Sequence, residues 1–584
     1  MKKHWSVIIP LIAGLALINV GTVISQPFES AGISFAGAGR SAIAWADCDN
    51  DHDLDVMVTG IGNDDNPVSI LYRNDEGNFS DAGFDFIPVK ESAVNWGDYD
   101  LDGDQDLLLC GNAATGDVTR LYRNDGNGFT ELDPGLPGIQ GGDILWVDID
   151  SDADLDIFIT GNWIAKIYIN HNGDFTASGQ TFGLYSGSAA AFGDYDNDGD
   201  LDLLINGDSG AGAVTKIFRN DDGIFTDAQA GLPGLMSGTT DWVDYDNDGD
   251  LDVAISGFND ALEAQFYLYK NEWEVFFQEY PGIEGFALGQ ADWGDYDLDG
   301  DPDLVMSGKA TGCGAVAAGI YRNDGDGVFY KLSDEITAAT RSSLGWADFD
   351  NDGDLDFIIA GLNLSDYPFT KLYLNTAGDN VFTINDQPGA PDNFTSEVLE
   401  NSVTLYWSGA SDEETASDGL GYNLMLGSAS TGCDVISPMS LHPQGYRLVI
   451  GTGNAGQLES ISIENLEPGT YYWSVQTIDQ AFEGSVFSPE QSFTITATGL
   501  SDNEEVKEPY KITPNPVSDQ FTIENKSQRI ISEVGIHDLK GNLIQKINPC
   551  SASARIVISA LPAGIYFITI LSDEMPARYK IVKR

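Results

Sequence analysis

The sequence predicts an all-β chain: a seven-bladed β-propeller followed by two small β-sandwich domains. Three observations carry that expectation. An aspartate-rich motif recurs with its first Asp at residues 47, 98, 148, 194, 244, 295 and 348, a period of 46 to 53 residues. Each period holds four short apolar runs separated by turn residues, the pattern of four strands. Beyond residue 388 the runs stay strand-length while the repeat stops, and after residue 510 the local charge turns positive.

Composition narrows the function before any motif is read. The chain has 584 residues, 28 Lys and Arg against 92 Asp and Glu, and a formal net charge of −64. Such a surface does not bind nucleic acid by releasing phosphate counterions, nor dock on anionic lipid. Hydrophobic residues at 42% and aromatics at 11% are too many for a disordered acidic tail. The acid therefore serves a folded protein, and cation binding is the first use to consider. Cys48, Cys110, Cys313, Cys433 and Cys550 form no C-x-x-C pair and no dense framework.

At the amino terminus Lys2 and Lys3 precede an apolar run from Val7 to Val23, and Val23 and Ser25 suit a cleavage site. Residues 1–25 read as a secretory signal peptide, leaving no transmembrane anchor once it is removed.

Residues 26–387 hold the repeats. WGDYDLDGDQDLLLCG from Trp96 and WADFDNDGDLDFIIAG from Trp346 show the plan: an aromatic, an Asp-rich loop, then a second apolar run. That run ends at a Gly 13 residues after the first Asp, as at Gly60, Gly207 and Gly361. A third run reads LYRN or a relative, from Leu71–Asn74 to Leu372–Asn375, and a fourth carries Phe79 through Phe382. An eighth Phe, Phe28, precedes the first loop and is placed to close the ring from the amino terminus.

Every loop has Asp at its five odd positions in D-x-D-x-D-G-D-x-D. The expected metal-binding residues are Asp47, Asp49, Asp51, Asp53 and Asp55 in the first unit and Asp98, Asp100, Asp102, Asp104 and Asp106 in the second. The third and fourth supply Asp148, Asp150, Asp152, Asp154, Asp156, Asp194, Asp196, Asp198, Asp200 and Asp202. The fifth to seventh supply Asp244, Asp246, Asp248, Asp250, Asp252, Asp295, Asp297, Asp299, Asp301, Asp303, Asp348, Asp350, Asp352, Asp354 and Asp356. Five carboxylates in nine residues repel one another in a compact loop, and a hard divalent ion with oxygen ligands removes that repulsion. Side-chain ligands are expected at positions one, three, five and nine, with a backbone carbonyl at seven. The flexible, oxygen-rich ring suits Ca²⁺ rather than Mg²⁺, about one ion per repeat. Gly at position six permits a left-handed backbone. His52 and Ala153 replace it in loops one and three, so loop three is expected to be the most strained.

These repeats resemble the FG-GAP, or VCBS, family found in integrin alpha heads and many bacterial surface proteins. The resemblance spans about residues 28–383. It implies a seven-bladed propeller with structural Ca²⁺ between the first and second strands of each blade, on the face away from the usual ligand surface. It also implies that the aromatic before each loop is core packing.

Residues 388–496 carry SVTLYW ending at Trp407, GYNLML from Gly421, and Leu466, Pro468, Gly469, Thr470 and Tyr472. The string resembles a fibronectin type III sandwich with its tyrosine at the start of a late strand; a spacer or binding module is the implied role. Residues 497–509 form an acidic linker. From Tyr510 to Arg584, Pro514, Asn515 and Pro516, then Gly541, Leu561, Gly564 and Tyr566, then Lys580, Lys583 and Arg584, resemble the C-terminal sorting domain of the type IX (Por) secretion system of Bacteroidetes. That resemblance implies passage across the outer membrane by the type IX machinery and a secreted or cell-surface location.

Two motifs are set aside. Gly207-Asp208-Ser209-Gly210 sits where each repeat ends its second strand, and no His accompanies it. Gly451 to Gly456 fits G-x-G-x-x-G, but QLESISIEN alternates after it like a strand. The expectation is a calcium-binding adhesion or ligand-binding protein, not an enzyme, with a glycan or protein partner. Lone aromatics at Trp163, Tyr185, Phe286 and Tyr367 lie in the loops of the expected ligand face. The rivals are a propeller-based polysaccharide lyase or glycosidase and an architectural surface-layer protein. Acid pairs suited to glycoside chemistry abound, but they repeat identically, which argues for structure.

Overall fold

The structure is a computed structural model describing residues 28–584 apart from 222, 273, 312–314, 326, 333–335, 377–384, 400, 497–509, 514–519, 526–529, 538–542, 550, 560, 563, 573–576 and 584. The expected signal peptide, the acidic linker, Phe382, Cys313, Cys550, Pro514-Asn515-Pro516, Gly541 and Arg584 thus lie outside the described residues.

The first four repeats each fold into one antiparallel four-stranded sheet with strands in chain order, and the fifth and sixth, built to the same plan, are joined through the Gln265–Phe286 pair into one eight-stranded sheet. In the first blade the strands are Gly39–Ala46, Asp55–Ile61, Pro67–Arg73 and Ser80–Asp81. Second strands such as Asp156–Gly161 are buried along their whole length, which explains their unbroken apolar sequence. The seventh blade takes Thr340–Ala347, Asp356–Leu362 and Pro368–Asn375 from its own repeat and a fourth strand, Phe28–Ser30, from the amino terminus. Phe28 pairs with Asn375 and Ser30 with Tyr373. The Phe28 ring packs on Tyr296, Trp346 and Phe357, so aromatic burial fixes the closing strand. The aromatics before the loops join blades: Trp146 stacks on Tyr99 of the preceding blade at 6.0 Å, Trp242 on Tyr195 at 5.5 Å, and Trp346 on Tyr296 at 6.3 Å.

The next domain is a sandwich. One sheet contains Asp392–Leu399, Ser402–Ser408 and Ser460–Ile463; the other contains Gly421–Gly427, Gly469–Ile478 and Gln491–Ile495. Trp407, Tyr422, Leu424 and Trp473 fill its core. The corner tyrosine is Tyr471, one residue before the expected Tyr472: its hydroxyl donates to Glu467 O at 2.9 Å. Rather than standing off as a spacer, this domain sits on the Asp-loop face of the propeller. Val449 bridges Gly97, the Asp98 N–H donates to Leu448 O at 2.9 Å, and Leu448 packs with Ile144 and Trp146. The propeller channel beneath it is a cavity of about 1230 Å³.

The carboxy-terminal sandwich pairs Tyr510–Thr513, Gln520–Asn525 and Ser553–Val557 in one sheet, and Leu543–Ile547, Ile531–His537, Gly564–Ser572 and Ala577–Lys583 in the other. Tyr510, Phe521, Ile536 and Ile568 are among its core. Cys48, Cys110 and Cys433 are free thiols. Among the described residues no helix is long and apolar enough to cross a membrane.

Candidate metal centres

Each Asp-rich loop joins the first strand of a blade to the second, and its backbone is curled by its own carboxylates. The first Asp accepts from the N–H groups of positions five and six: Asp194 Oδ1 from Asp198 at 3.1 Å and Oδ2 from Gly199 at 2.8 Å. The same pair recurs from Asp47 to Asp348. Position five then accepts from the N–H of position seven, as Asp198 does from Asp200 at 3.1 Å.

Position six is left-handed, with φ 91° at Gly103, 99° at Gly199 and 89° at Gly353. His52 at φ 69° and Ala153 at φ 73° adopt the same conformation without glycine's freedom. Position four is left-handed too, in all seven loops: Asn50, Leu101, Ser151, Asn197, Asn247, Leu298 and Asn351. Sequence reading missed this turn, although Asn at that place in four copies is its signal.

The curl brings carboxylates together. In loops one, two and four, three oxygens from positions one, three and nine lie within 4.8 Å of one another, as with Asp194, Asp196 and Asp202. In loops three and five the trio is positions one, three and five, as with Asp148, Asp150 and Asp152. Position three supplies the most telling atom. Oδ1 of Asp49, Asp196, Asp246, Asp297 and Asp350 is buried without a hydrogen-bond partner. A buried carboxylate oxygen lacking a donor is costly, and a hard cation satisfies it. Third-strand bases partly answer this charge: Arg73 lies 2.8 Å from Asp49, Arg219 3.2 Å from Asp196, and Lys270 pairs with Asp246. Blades three and seven carry Ile169 and Leu374 there instead. The all-oxygen donor set fits a divalent cation of the Ca²⁺ type.

Burial raises the acids. Position one is pushed up to about 6 at Asp47, Asp98 and Asp148 and about 7 at Asp244, with neighbouring carboxylates adding to the desolvation. Position nine rises further, to about 8 at Asp55, Asp106 and Asp156 and about 9 at Asp252 and Asp303. Its cause is again burial, against the pull of a backbone donor.

That donor is a second feature sequence reading missed. The Asn ending each LYRN run gives its N–H to position nine of its own blade, at 2.6 to 2.7 Å in all seven blades. In six blades its side-chain amide also donates to the carbonyl of position two in the preceding blade, as Asn124 does to Cys48 O at 2.7 Å and Asn323 to Tyr245 O at 2.7 Å. Position seven is used between loops. Asp104, Asp250, Asp301 and Asp53 accept from Asn50, Asn197, Asn247 and Asn351 of the preceding loop at 2.7, 2.9, 2.9 and 3.2 Å.

On the opposite face, two of the four aromatics expected to meet ligand are core. Tyr185 and Phe286 are buried, and the Tyr185 hydroxyl donates to Phe182 O at 2.7 Å. Trp163 and Tyr367 are exposed, at 44% and 62%. Ser209 is a turn residue whose hydroxyl donates to Gly212 O at 2.8 Å.

A family model described as FG-GAP-like repeat matches residues 148–205, 194–255 and 295–359, and one described as secretion system C-terminal sorting domain matches 511–584. No curated protein matches. Three solved structures show weak likeness. One describes recognition of non-reducing terminal N-acetylglucosamine by an Agrocybe aegerita lectin: 17% identity, 52% of this chain, 82% of that chain, TM-score 0.33. An exo-β-1,3-galactanase from Phanerochaete chrysosporium with galactose gives 9%, 59%, 99% and 0.25. The central fibronectin-III array of RIM-binding protein gives 14%, 35%, 72% and 0.13. The chain therefore carries FG-GAP-like repeats in its propeller and a secretion system C-terminal sorting domain at its end, which directs it by type IX secretion to the cell surface or extracellular space.

Proposed function

We propose that the protein is an exported calcium-binding propeller that holds a glycan or protein ligand on the face opposite its Asp loops, and that it carries out no catalytic step. The observation that carries the reading is the set of orphaned position-three carboxylate oxygens repeated in five loops, which a Ca²⁺ ion at each loop would satisfy. Cations so placed are structural: they bind the folded curl and stabilise it by mass action. The Asp-loop face is already covered by the fibronectin type III-like sandwich. That leaves the far face, where Trp163 and Tyr367 are exposed and Arg40 and Arg341 both pair with Glu91 at the channel mouth, Arg341 at 3.7 Å.

Two of the aspartates lining the channel support a non-catalytic reading, while a third, Asp241, keeps one buried oxygen without a partner. Asp143 accepts from the Ala190 N–H at 2.9 Å and Asp292 from the Trp346 N–H at 2.8 Å, so these carboxylates cap the open edge of the next blade's inner strand. Glycan-array and surface-protein binding by the full mature chain, with and without chelator, tests the proposal, alongside an assay for released sugar. Calcium-dependent binding without sugar release is expected. Sugar release without binding would overturn it.

A further inference from the structure

The sandwich at 392–495 touches six of the seven Asp loops and overhangs the fifth. Glu483 meets His52 of loop one at 2.9 Å, and Leu448 O accepts from the Asp98 N–H of loop two. In loop three Ser437 hydrogen-bonds Asp148, and the Cys433 thiol lies 3.9 Å from Ser151 O. The Glu464 N–H donates to Asn197 O of loop four at 3.0 Å, and Leu458 lies over Gly249 of loop five. Gln457 donates to Asp295 Oδ2 of loop six at 3.0 Å, and Gln480 O faces the Asp348 N–H of loop seven at 3.4 Å.

These contacts share a character. Four of them fall on the first Asp of a loop, the residue whose carboxylate curls the loop, and most of the rest fall on backbone groups of positions three to six. The sandwich thus reads loop shape more than side-chain identity. At Gly199 and Gly353 the fit is close enough that a Cβ would run into Val435 O and Glu414 O. A loop that frays loses the surface the sandwich sits on.

The loop side of the interface is strongly acidic, and the sandwich brings it no lysine or arginine except Arg447. Of the sandwich's acids Glu483 sets its carboxylate on a loop, against His52, while Glu414 and Glu464 meet the loops through a backbone carbonyl and a backbone N–H. The sandwich's buried base, Arg447, spends its donors on carbonyls of Pro438, Gly451 and Thr452 and on Ser440, not on the loops. Loop carboxylates covered by a cap that gives them no cationic side chain are relieved by positive charge held in the loops themselves, which is where divalent cations would lie.

We infer that the sandwich is a cation-latched cap: with the loops loaded it is seated and closes the channel at this end, and when cations leave it is released as a folded unit. The inference rests on the calcium reading above. By linkage the coupling is reciprocal, so seating the cap tightens cation binding in the loops it touches.

Hydrogen–deuterium exchange on the full mature chain during a calcium titration tests it, with bound calcium counted by elemental analysis. On calcium withdrawal the cap segment 445–458 should exchange at least about tenfold faster, while Gly469–Ile478 in the sandwich core and the second strands of the blades keep their protection. In the Gln457→Ala variant, the calcium midpoint for protecting residues 295–303 should move about three- to tenfold higher, with residues 98–106 unchanged. Loops that gain protection with calcium while 445–458 stays protected without it would overturn the cap and leave the calcium reading standing. Collapse of the sandwich core and blades together with the cap segment would overturn it too. If no calcium binds and nothing changes, the calcium reading and the cap fall together.

Discussion

Asn124 does three jobs with one residue. Its N–H feeds Asp106 at 2.7 Å, its side-chain amide reaches Cys48 O in the previous blade at 2.7 Å, and its Oδ1 accepts from Gly126 at 3.0 Å. It is 2% exposed, so removing the amide leaves buried partners unpaired. Asn124→Ala should cost about 2 kcal/mol in chemical denaturation; a change below about 0.5 kcal/mol would show that the blade-to-blade bond contributes little. Leu101 presents the reverse case. It holds φ 61° without an amide, while Asp154 Oδ1 in the next loop is buried and lacks a hydrogen-bond donor. Leu101→Asn should relieve strain and supply the bond that Asn50 makes to Asp104, stabilising by about 1 kcal/mol and raising the melting temperature by roughly 2 °C. A lower melting temperature would count against a stabilising role for this loop-to-loop bond. The alternating aspartates were legible because their spacing is local. The Asn roles were not, because Asn124 meets its partner 76 residues upstream, although the LYRN repeat displays the residue plainly.

At the scale of the loop, the oxygens that would hold a cation are the ones that take up protons. Without a cation, burial holds the position-nine carboxyls near 8 to 9 against an ordinary value of 3.8. The folded state then binds more protons than the unfolded state between about pH 4 and pH 9, so cation-free stability falls as pH rises through that window. Under the proposed function calcium would take over the protons' role. The melting-temperature gain from calcium should therefore be small near pH 5 and grow toward pH 8; calorimetry at both values, with and without calcium, reads it directly. An equal gain at both would contradict the account. Element type and order were legible here, since a 13-residue offset from Asp to Gly marks each second strand. The seat of the sandwich was not: Gln105 finds Arg447 O across 342 residues, and no local pattern encodes such a contact.

For the whole molecule, stability turns on ring closure and, under the function proposed above, on cation loading. Closure was readable from an eighth Phe ahead of the first loop, and the structure places that residue, 9% exposed, against three rings of blades six and seven. Phe28→Ala should cost about 3 kcal/mol and loosen the seventh blade first; uniform loss across all blades in hydrogen exchange would argue that closure is not local to this strand. The ligand face was the least legible part, because exposure cannot be told from composition: Tyr185 and Phe286 look like Trp163 in the sequence yet are core. Loading is tested most directly by long-wavelength anomalous diffraction from crystals grown in about 5 mM calcium, above the weakest range expected of extracellular sites. Seven anomalous peaks, each among the carboxylates of one Asp loop, are predicted. Loops free of anomalous density at that concentration would contradict the account.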